Sequence, residues 1–556
     1  LGLGDPMLGL NFNKVVEAEG ALRQIRDGSV IAVSGFNMIA TPAYLIVKLY
    51  EVYSKYGRPK NLFIIAETCP GTPGKGLDLV GKRIIEDKDR DFLRGVLIPF
   101  YGWVPSIAKL VERNEIEGYN WPIGVVSHWF REVAAGRPGL LTKVGLGTMF
   151  DPRYGGGALN SLAEERGTCR VDLVTLDEEE YLLYRCPKPD VALIRGTTAD
   201  ELGNISMEHE AAVLNVLAIA QAARASPRKG VTIAQVKRLA RAGSISPRSI
   251  HVPGPLVDYV VLAPETPEFH GQTDSVLYDP TLSGEVVPPE RILKISTLQL
   301  SVRKVIARRV ALELARMVVS LGRPILVNLG IGIPADVASV VAEEGISEFV
   351  FTTVESGPFG GVALTGPDFG ASRGFFALVP MADMFTNYEG GIIDAASLGF
   401  MQIDELGNVN PAFLPGRMPG AGGFPVISFG APTIYFAGEF TAGDRTIEIS
   451  NGALRIVSDG VIRKFVRRAY KMVYSGKYGV KRGQRVFIVT ERAVFRLGED
   501  GLELIEIAPG VDLEKDVLAK MEFKPKIARN LEYMGRELFS EKLMNLRALV
   551  IEGLRR

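Results

Sequence analysis

Apolar positions along the chain follow two rhythms. Short unbroken runs, such as Val30-Ile31-Ala32-Val33, Leu62-Phe63-Ile64-Ile65, Ile325-Leu326-Val327 and Phe349-Val350-Phe351, alternate with longer stretches in which apolar residues return every three or four positions. The unbroken runs predict strands buried on both faces, and the longer stretches predict amphipathic helices. Their alternation predicts an α/β fold with mainly parallel sheets covered by helices.

The order of elements repeats. In the first half an amphipathic stretch from Val15 to Ile25 precedes the run at 30–33. A glycine-containing loop to Pro42, a helix from Ala43 to about Tyr53 and a strand at 62–65 ending at Glu67 follow. In the second half a helix from Val302 to about Ser320 precedes the strand at 325–327. A loop to Pro334, a helix from Ala335 to Glu344 and a strand at 349–351 ending at Glu355 complete the same series. Further along, Asp200-Glu201-Leu202-Gly203-Asn204 returns as Asp404-Glu405-Leu406-Gly407-Asn408. The distance from the glutamate to this echo is longer in the first half, so extra material sits between Pro70 and about Asn160. Pro280, Gly284, Pro288 and Pro289 interrupt the pattern between His270 and Arg291, which puts the junction there. The expected organisation is two tandem, similar α/β domains, 1–285 and 286–556. Near the C-terminus, Val486 to Leu497, a Gly498-Glu499-Asp500-Gly501 turn and Leu502 to Ile507 predict a hairpin.

At 556 residues the chain exceeds what one hydrophobic core organises. Lys+Arg and Asp+Glu both count 64, and the zero formal charge argues against a bulk role on nucleic acid or an anionic membrane. The basic runs Arg303 to Arg309 and Arg463 to Lys471 read as solvated faces. Three cysteines, Cys69, Cys169 and Cys186, without Cys-x-x-Cys spacing argue against a disulfide framework and a zinc site. The four histidines are scattered, so no metal is expected. No apolar run reaches the roughly 20 residues of a membrane span. Leu1 to Asn13 lacks the charged and apolar regions of a signal peptide, which makes the cytoplasm the default compartment.

Candidate chemistry concentrates at one place. Gly71-Thr72-Pro73-Gly74-Lys75-Gly76 lacks the spacing and hydroxyl of a phosphate loop and reads as a turn. Val354-Glu355-Ser356-Gly357-Pro358-Phe359-Gly360-Gly361 instead places a carboxylate at the C-terminal end of a buried parallel strand, where α/β folds hold ligands. The glycines Gly360 and Gly361 allow close approach to the backbone. Asn328 ends the preceding strand on the same edge, in position to donate to an oxyanion. Gly35 occupies the matching loop of the first half, and Gly422-Gly423-Phe424 forms another open loop. A pocket lined by glycine loops and one carboxylate suits a large acyl carrier.

These stretches resemble the family I CoA-transferases over nearly the whole chain. The likeness is strongest to the single-chain acetate/propionate type, related to succinyl-CoA:3-oxoacid CoA-transferase. The resemblance puts Glu355 at the nucleophile position, Asn328 in the oxyanion-hole loop, and Gly422 and Gly423 near the CoA thiol. Asp151-Pro152-Arg153-Tyr154-Gly155-Gly156-Gly157, Tyr119-Asn120-Trp121-Pro122 to His128, and Val489 to Arg492 with Pro509-Gly510 also fit. Arg373 and Asn387 depart from the family pattern. The implied reaction moves CoA between short-chain acyl-CoA and free carboxylates. It is ping-pong, through a glutamyl-CoA thioester on Glu355, with the active site between the domains.

No tightly bound cofactor is implied, since CoA is substrate and covalent intermediate, and a homo-oligomer, dimer or tetramer, is expected. A Glu pKa of about 4.3 leaves such a nucleophile ionised at neutral pH. The alternatives are an acyl-CoA hydrolase on the same scaffold and a non-enzymatic acyl-CoA sensor. Glu67 is expected to be the structural counterpart of Glu355 and not the nucleophile.

Overall fold

The computed structural model describes residues 13–288 and 297–555. Residues 1–12, and the end of the expected junction at 289–291, lie outside the described residues.

The first half opens with helix α1 (Ala18–Leu22), strand β1 (Val30–Val33), helix α2 (Ala43–Tyr56) and strand β2 (Leu62–Ala66). Strands β3 (Leu93–Leu97) and β4 (Glu117–Tyr119), helix α3 (Ile123–Ala134), strand β5 (Val191–Arg195), helix α4 (Val216–Arg224), and strands β6 (Val231–Val236) and β7 (Tyr259–Leu262) follow. The seven strands form one parallel sheet in the order β7-β6-β5-β1-β2-β3-β4. β1, β2 and β5 are buried at every position, as their unbroken apolar runs require.

The second half begins with helix α5 (Val302–Leu321), strand β8 (Ile325–Leu329), helix α6 (Ile333–Glu343) and strand β9 (Val350–Thr353). Helix α7 (Met381–Glu389), strand β10 (Ala395–Leu398), helix α8 (Phe424–Gly430), and strands β11 (Thr433–Ala437) and β12 (Arg485–Val489) complete its parallel part. Three further strands, β13 (Ala493–Gly498), β14 (Gly501–Ile507) and β15 (Lys526–Tyr533), extend that sheet past β12. Its parallel strands run in the order β9-β8-β10-β11-β12. The first half contains the same arrangement as β2-β1-β5-β6-β7, so the repeated sequence order is a repeated topology. β3 and β4 arise from the extra material after Pro70.

The echoed pentapeptide has one structural meaning in both copies. Asp200 Oδ1 accepts from the backbone of Leu202 and Asn204 at 3.1 and 2.9 Å, and Asn204 Nδ2 donates to Oδ2 at 2.8 Å. Asp404 repeats this with Leu406, Asn408 and the Asn408 amide at 3.1, 2.9 and 3.0 Å. The glycine of each copy has positive φ, 85° and 73°, which a side chain would disfavour.

Four expectations need correction. The basic run Arg303 to Arg309 is not a solvated face, since Lys304, Arg308 and Arg309 are buried. Only Ala18–Leu22 of the stretch from Val15 to Ile25 is helical. The segment read as one strand from Val486 to Leu497 is two, because the chain turns at 490–492, and the tight hairpin joins β13 to β14. Cys169 and Cys186 are bonded to each other. They flank an antiparallel pair in which Arg170 faces Arg185, so 17 residues of separation fold into adjacency across a hairpin. Spacing rules for metal or redox pairs do not register that geometry.

One apolar core, built only from the first half, lies against one face of its sheet. A second is continuous through both halves. At their seam a Cβ on Gly124 would come within 2.5 Å of Phe385 and 2.9 Å of Val426, so α3 meets α7 and α8 at glycine distance. Among the described residues no helix is long and apolar enough to cross a membrane.

Candidate active site

The parallel strands of the second sheet end on one edge, and Glu355 stands there just past β9. The chain reverses sharply beyond it: Gly357 N–H donates to Val354 O and Val354 N–H to Pro358 O, both at 3.0 Å. Gly357 has φ 131°, and a Cβ there would lie 2.0 Å from Val379 O, so only glycine closes this turn. Ser356 is tied by its hydroxyl to Gly370 O. The turn is therefore pinned on both sides of Glu355.

The Glu355 carboxylate itself has no hydrogen-bond or ion-pair partner among the described residues. Burial alone acts on it and pushes its pKa up to about 7. This lies well above the solution value on which the sequence expectation rested, because a solution value does not include desolvation. The carboxyl lies against Gly423, where a Cβ would sit 2.5 Å from the carboxyl carbon.

The loop that carries Gly423 belongs to the second half by sequence and to the first by contacts. Gly422 N–H donates to Pro99 O at 3.0 Å, and Ile123 N–H to Gly422 O at 3.0 Å. Tyr101 N–H donates to Pro419 O at 2.7 Å. Asn120 is the hinge pin: its Nδ2 donates to Ile98 O and Pro99 O at 2.8 and 2.7 Å, and its Oδ1 accepts from Ala421 N–H at 3.2 Å. The stretch Tyr119 to Pro122 is thus the dock for the glycine loop. A second seam joins the Gly35–Asn37 loop to the segment after Glu355. Asn37 Nδ2 donates to Pro367 O and Phe369 O at 3.0 Å each, and Phe36 meets Phe369 with ring centroids 5.9 Å apart.

Asn328, the penultimate residue of β8, pairs with Thr353 of β9. Its Nδ2 donates to Tyr388 Oη at 3.1 Å and, more weakly, to Thr353 O at 3.3 Å, while Oδ1 is buried without a partner. The Tyr388 hydroxyl donates in turn to Thr353 Oγ1 at 3.0 Å, which donates to Val327 O at 3.1 Å. The sequence singled out the neighbouring Asn387 and not this contact. Tyr388 lies far along the chain on α7, and its one signal was a tyrosine in an apolar helical face.

At Gly360 and Gly361 the direction a side chain would take is blocked. Cβ atoms there would come within 2.6 Å of the Phe376 ring and 2.5 Å of Arg373 O, and both residues have positive φ. They shape the turn. Gly422 is more open, with Phe100 at 3.8 Å from a built Cβ. Gly35 N–H is already taken by Glu67 Oε2 at 3.2 Å. Arg373 is bound to Asp279 at 3.0 Å and to Thr281 at 3.2 Å. Phe424 is core, stacked on Phe436 at 5.8 Å.

Glu67 follows β2 as Glu355 follows β9, yet it is fully buried, with Oε1 unpaired. Burial pushes its carboxyl up to about 8 against the opposing pull of the Gly35 and Asn215 amides. Among the described residues no group of three or more His, Cys, Asp or Glu side chains is placed to hold a metal ion.

The Coenzyme A transferase family profile matches residues 15–263. The chain is 39% identical over 539 residues to caffeate CoA-transferase of Acetobacterium woodii, covering 95% of this chain and 98% of that protein. It is 37% identical over 531 residues to acetate CoA-transferase YdiF of Escherichia coli K12, covering 95% and 96%. Solved structures of the acyl-CoA transferase YdiF from Escherichia coli O157:H7 superpose at 35% identity. The apoenzyme has a TM-score of 0.85 over 96% of this chain and 98% of that one. A thioester complex with CoA has a TM-score of 0.83 over 96% and 97%. With relatives this similar along almost its full length, the chain belongs to the family I CoA-transferases.

Proposed function

We propose that this CoA-transferase moves coenzyme A between short-chain acyl-CoA and free carboxylates by a ping-pong mechanism on Glu355. The observation that carries this reading is the unpaired Glu355 carboxylate, set at the apex of a pinned turn against a glycine. A carboxylate with a cation partner is stabilised as an anion and is a poor nucleophile. This one is desolvated and correspondingly more basic.

In the first step a Glu355 oxygen attacks the thioester carbonyl, the C–S bond breaks, and CoA leaves as thiolate. The thiolate then attacks the glutamyl carbonyl, the C–O bond to the acyl group breaks, and the first acid departs as carboxylate. CoA now sits on Glu355, and a second acid reverses both steps. No net proton moves, so no general base is required. This is covalent catalysis with two half-reactions. Each addition builds an oxyanion, and one well-placed donor to it is typically worth about 10²–10³ in rate.

Asn328 supplies such a donor by a small turn of its amide that exchanges the long bond to Thr353 O for the oxyanion. Gly422 and Gly423 keep the pocket open beside the carboxyl, with Gly360, Gly361 and Gly35 shaping its walls. The expected domains, 1–285 and 286–556, meet along the glycine loop, so the site is completed by both. A homo-oligomer in the cytoplasm completes the reading.

The acceptors are acetate, propionate and butyrate. Chain-length preference is graded, because a methylene in an apolar pocket changes binding by about 1–3 kcal/mol. Arg373 is committed to Asp279 and is not free to pair a second carboxylate, so succinate is a poorer substrate. Since one relative is a caffeate CoA-transferase, caffeate belongs in the acid panel.

Intact mass spectrometry after mixing with acetyl-CoA tests the reading. The protein should gain the mass of CoA less water, and Glu355→Gln should not. Loss of acetyl-CoA without an adduct would sink the mechanism. An adduct that discharges to water at an undiminished rate without an acceptor acid would mean a hydrolase.

A further inference from the structure

We propose that Tyr388 is a positioning residue for the transfer reaction, through which the first half of the chain sets the orientation of Asn328. The inference rests on the Glu355–Asn328 reading given above.

Tyr388 is fully buried near the end of α7, and its hydroxyl is the middle link of a directed chain. Asn328 Nδ2–H donates to Tyr388 Oη at 3.1 Å, Tyr388 donates to Thr353 Oγ1 at 3.0 Å, and Thr353 donates to Val327 O at 3.1 Å. The hydroxyl therefore ties together the ends of β8 and β9, the two strands that deliver Asn328 and Glu355 to the site. The orientation of the Asn328 amide is fixed by chemistry, because Thr353 O only accepts, and an amide turned the other way would set oxygen against oxygen.

One Nδ2 hydrogen is held firmly by Tyr388 and the other loosely at 3.3 Å by Thr353 O. Tyr388 is the pivot of that amide, and the loosely held hydrogen is the one able to swing toward an oxyanion. Without the hydroxyl, Asn328 keeps only the weak bond to Thr353 O beside an unpaired oxygen, and its amide is no longer held firmly.

Helix α7 is itself clamped by the first half. At its start, Met381 N–H donates to Leu214 O at 3.3 Å and Ala382 N–H to Asn215 Oδ1 at 3.1 Å. Arg131 of α3 grips Asp383 with two bonds of 2.6 and 3.0 Å. At its end, Glu389 is bonded to Thr142. All four contacts come from the first half, and the side chain just before Glu389 reaches the catalytic edge of the second. The register of α7 against the first half thus sets where the Tyr388 hydroxyl stands.

The test is steady-state and single-turnover kinetics of Tyr388→Phe, which keeps the ring. Rates are read well below each variant's unfolding midpoint, after the wild-type CoA adduct has been confirmed by mass. Turnover and the rate of adduct formation should fall about tenfold or more, with KM for acyl-CoA changed less than about twofold, because the lost interaction serves the transition state. In an Asn328→Ala background the same change should cost little, since Tyr388 acts through Asn328.

Thr353→Val is the second variant. It removes the acceptor of the Tyr388 hydroxyl but leaves the bond from Asn328, and should cost less than Tyr388→Phe. Unchanged turnover in Tyr388→Phe, a full additive loss in the double variant, or an equal or larger loss in Thr353→Val would overturn the assignment. Absence of the adduct in the wild type would instead overturn the Glu355 mechanism beneath it.

Discussion

At the scale of single residues, the two homologous glutamates differ in what surrounds them. Glu355 stands unpaired at an edge that remains partly exposed, whereas Glu67 is sealed behind its own loop and accepts the Gly35 N–H. Three predictions follow from these environments. Glu355 titrates at about 7, so the rate of adduct formation should rise with pH through that value and level off above it. Rapid-quench rates from about pH 5.5 to about pH 9 check this, and a flat profile would contradict it.

Glu67 has a folded pKa of about 8 against a reference value of 4.5. The folded state holds its proton more tightly. That contribution to stability is complete below about 4.5 and is lost as pH rises through about 8. Glu67→Gln should therefore gain stability relative to wild type between pH 5 and pH 9, on the order of 3 kcal/mol, read by urea unfolding at both pH values.

Gly423 has φ −82°, which alanine adopts freely, so Gly423→Ala should fold normally. Its Cβ would meet the Glu355 carboxyl at 2.5 Å, and displacing a reacting group by about 1 Å typically costs about 10²-fold. Turnover with an unchanged unfolding midpoint is the measurement.

At the scale of elements, the echoed pentapeptide is a turn in which one aspartate satisfies several backbone and side-chain donors. Asp404 also accepts from Ala469 N–H at 3.3 Å, a contact that ties the turn to the segment between β11 and β12, whereas among the described residues Asp200 accepts only within its own turn. Asp404→Ala should destabilise the protein by about 1–3 kcal/mol, and Asp200→Ala by less, measured by denaturant unfolding. Equal losses would mean that the added contact contributes nothing. The turn was legible because both copies kept the same five residues. Strands β1, β2 and β5 were legible because a strand buried on both faces has no room for polar alternation, whereas β9 was read from the same kind of run yet leaves Phe351 exposed. The hairpin after Val486 was misjudged because Thr490-Glu491-Arg492 turns without glycine or proline. Thr490 closes that turn through its own hydroxyl, donating to Ala493 O at 2.7 Å.

At the scale of the whole molecule, the site depends on contacts between parts of the chain 300 residues apart, of which Asn120 with Ala421 is the clearest. Asn120→Ala would leave the carbonyls of Ile98 and Pro99 without its amide and free the loop that carries Gly423. Turnover should fall tenfold or more, while the two sheets, which do not involve this side chain, remain folded. Turnover compared with circular dichroism checks this, and full activity would show that the loop keeps its place without the first half.

The sequence alone determined the alternation of strands and helices, the internal repeat, and the glutamate at a strand end followed by glycines. All are local: a buried strand, an amphipathic helix and a tight turn each depend on residues within a few positions of one another. Tertiary structure decided the rest. Gly360 and Gly361 serve packing against Phe376 and Arg373, and Gly35 is occupied by Glu67. Cys169 meets Cys186 across a hairpin, and Tyr388 reaches Asn328 from a helix clamped by the other half. The basicity of Glu355 was also beyond the sequence, because desolvation is set by whatever packs around a carboxyl, and Gly423, which lies against it, is far away along the chain.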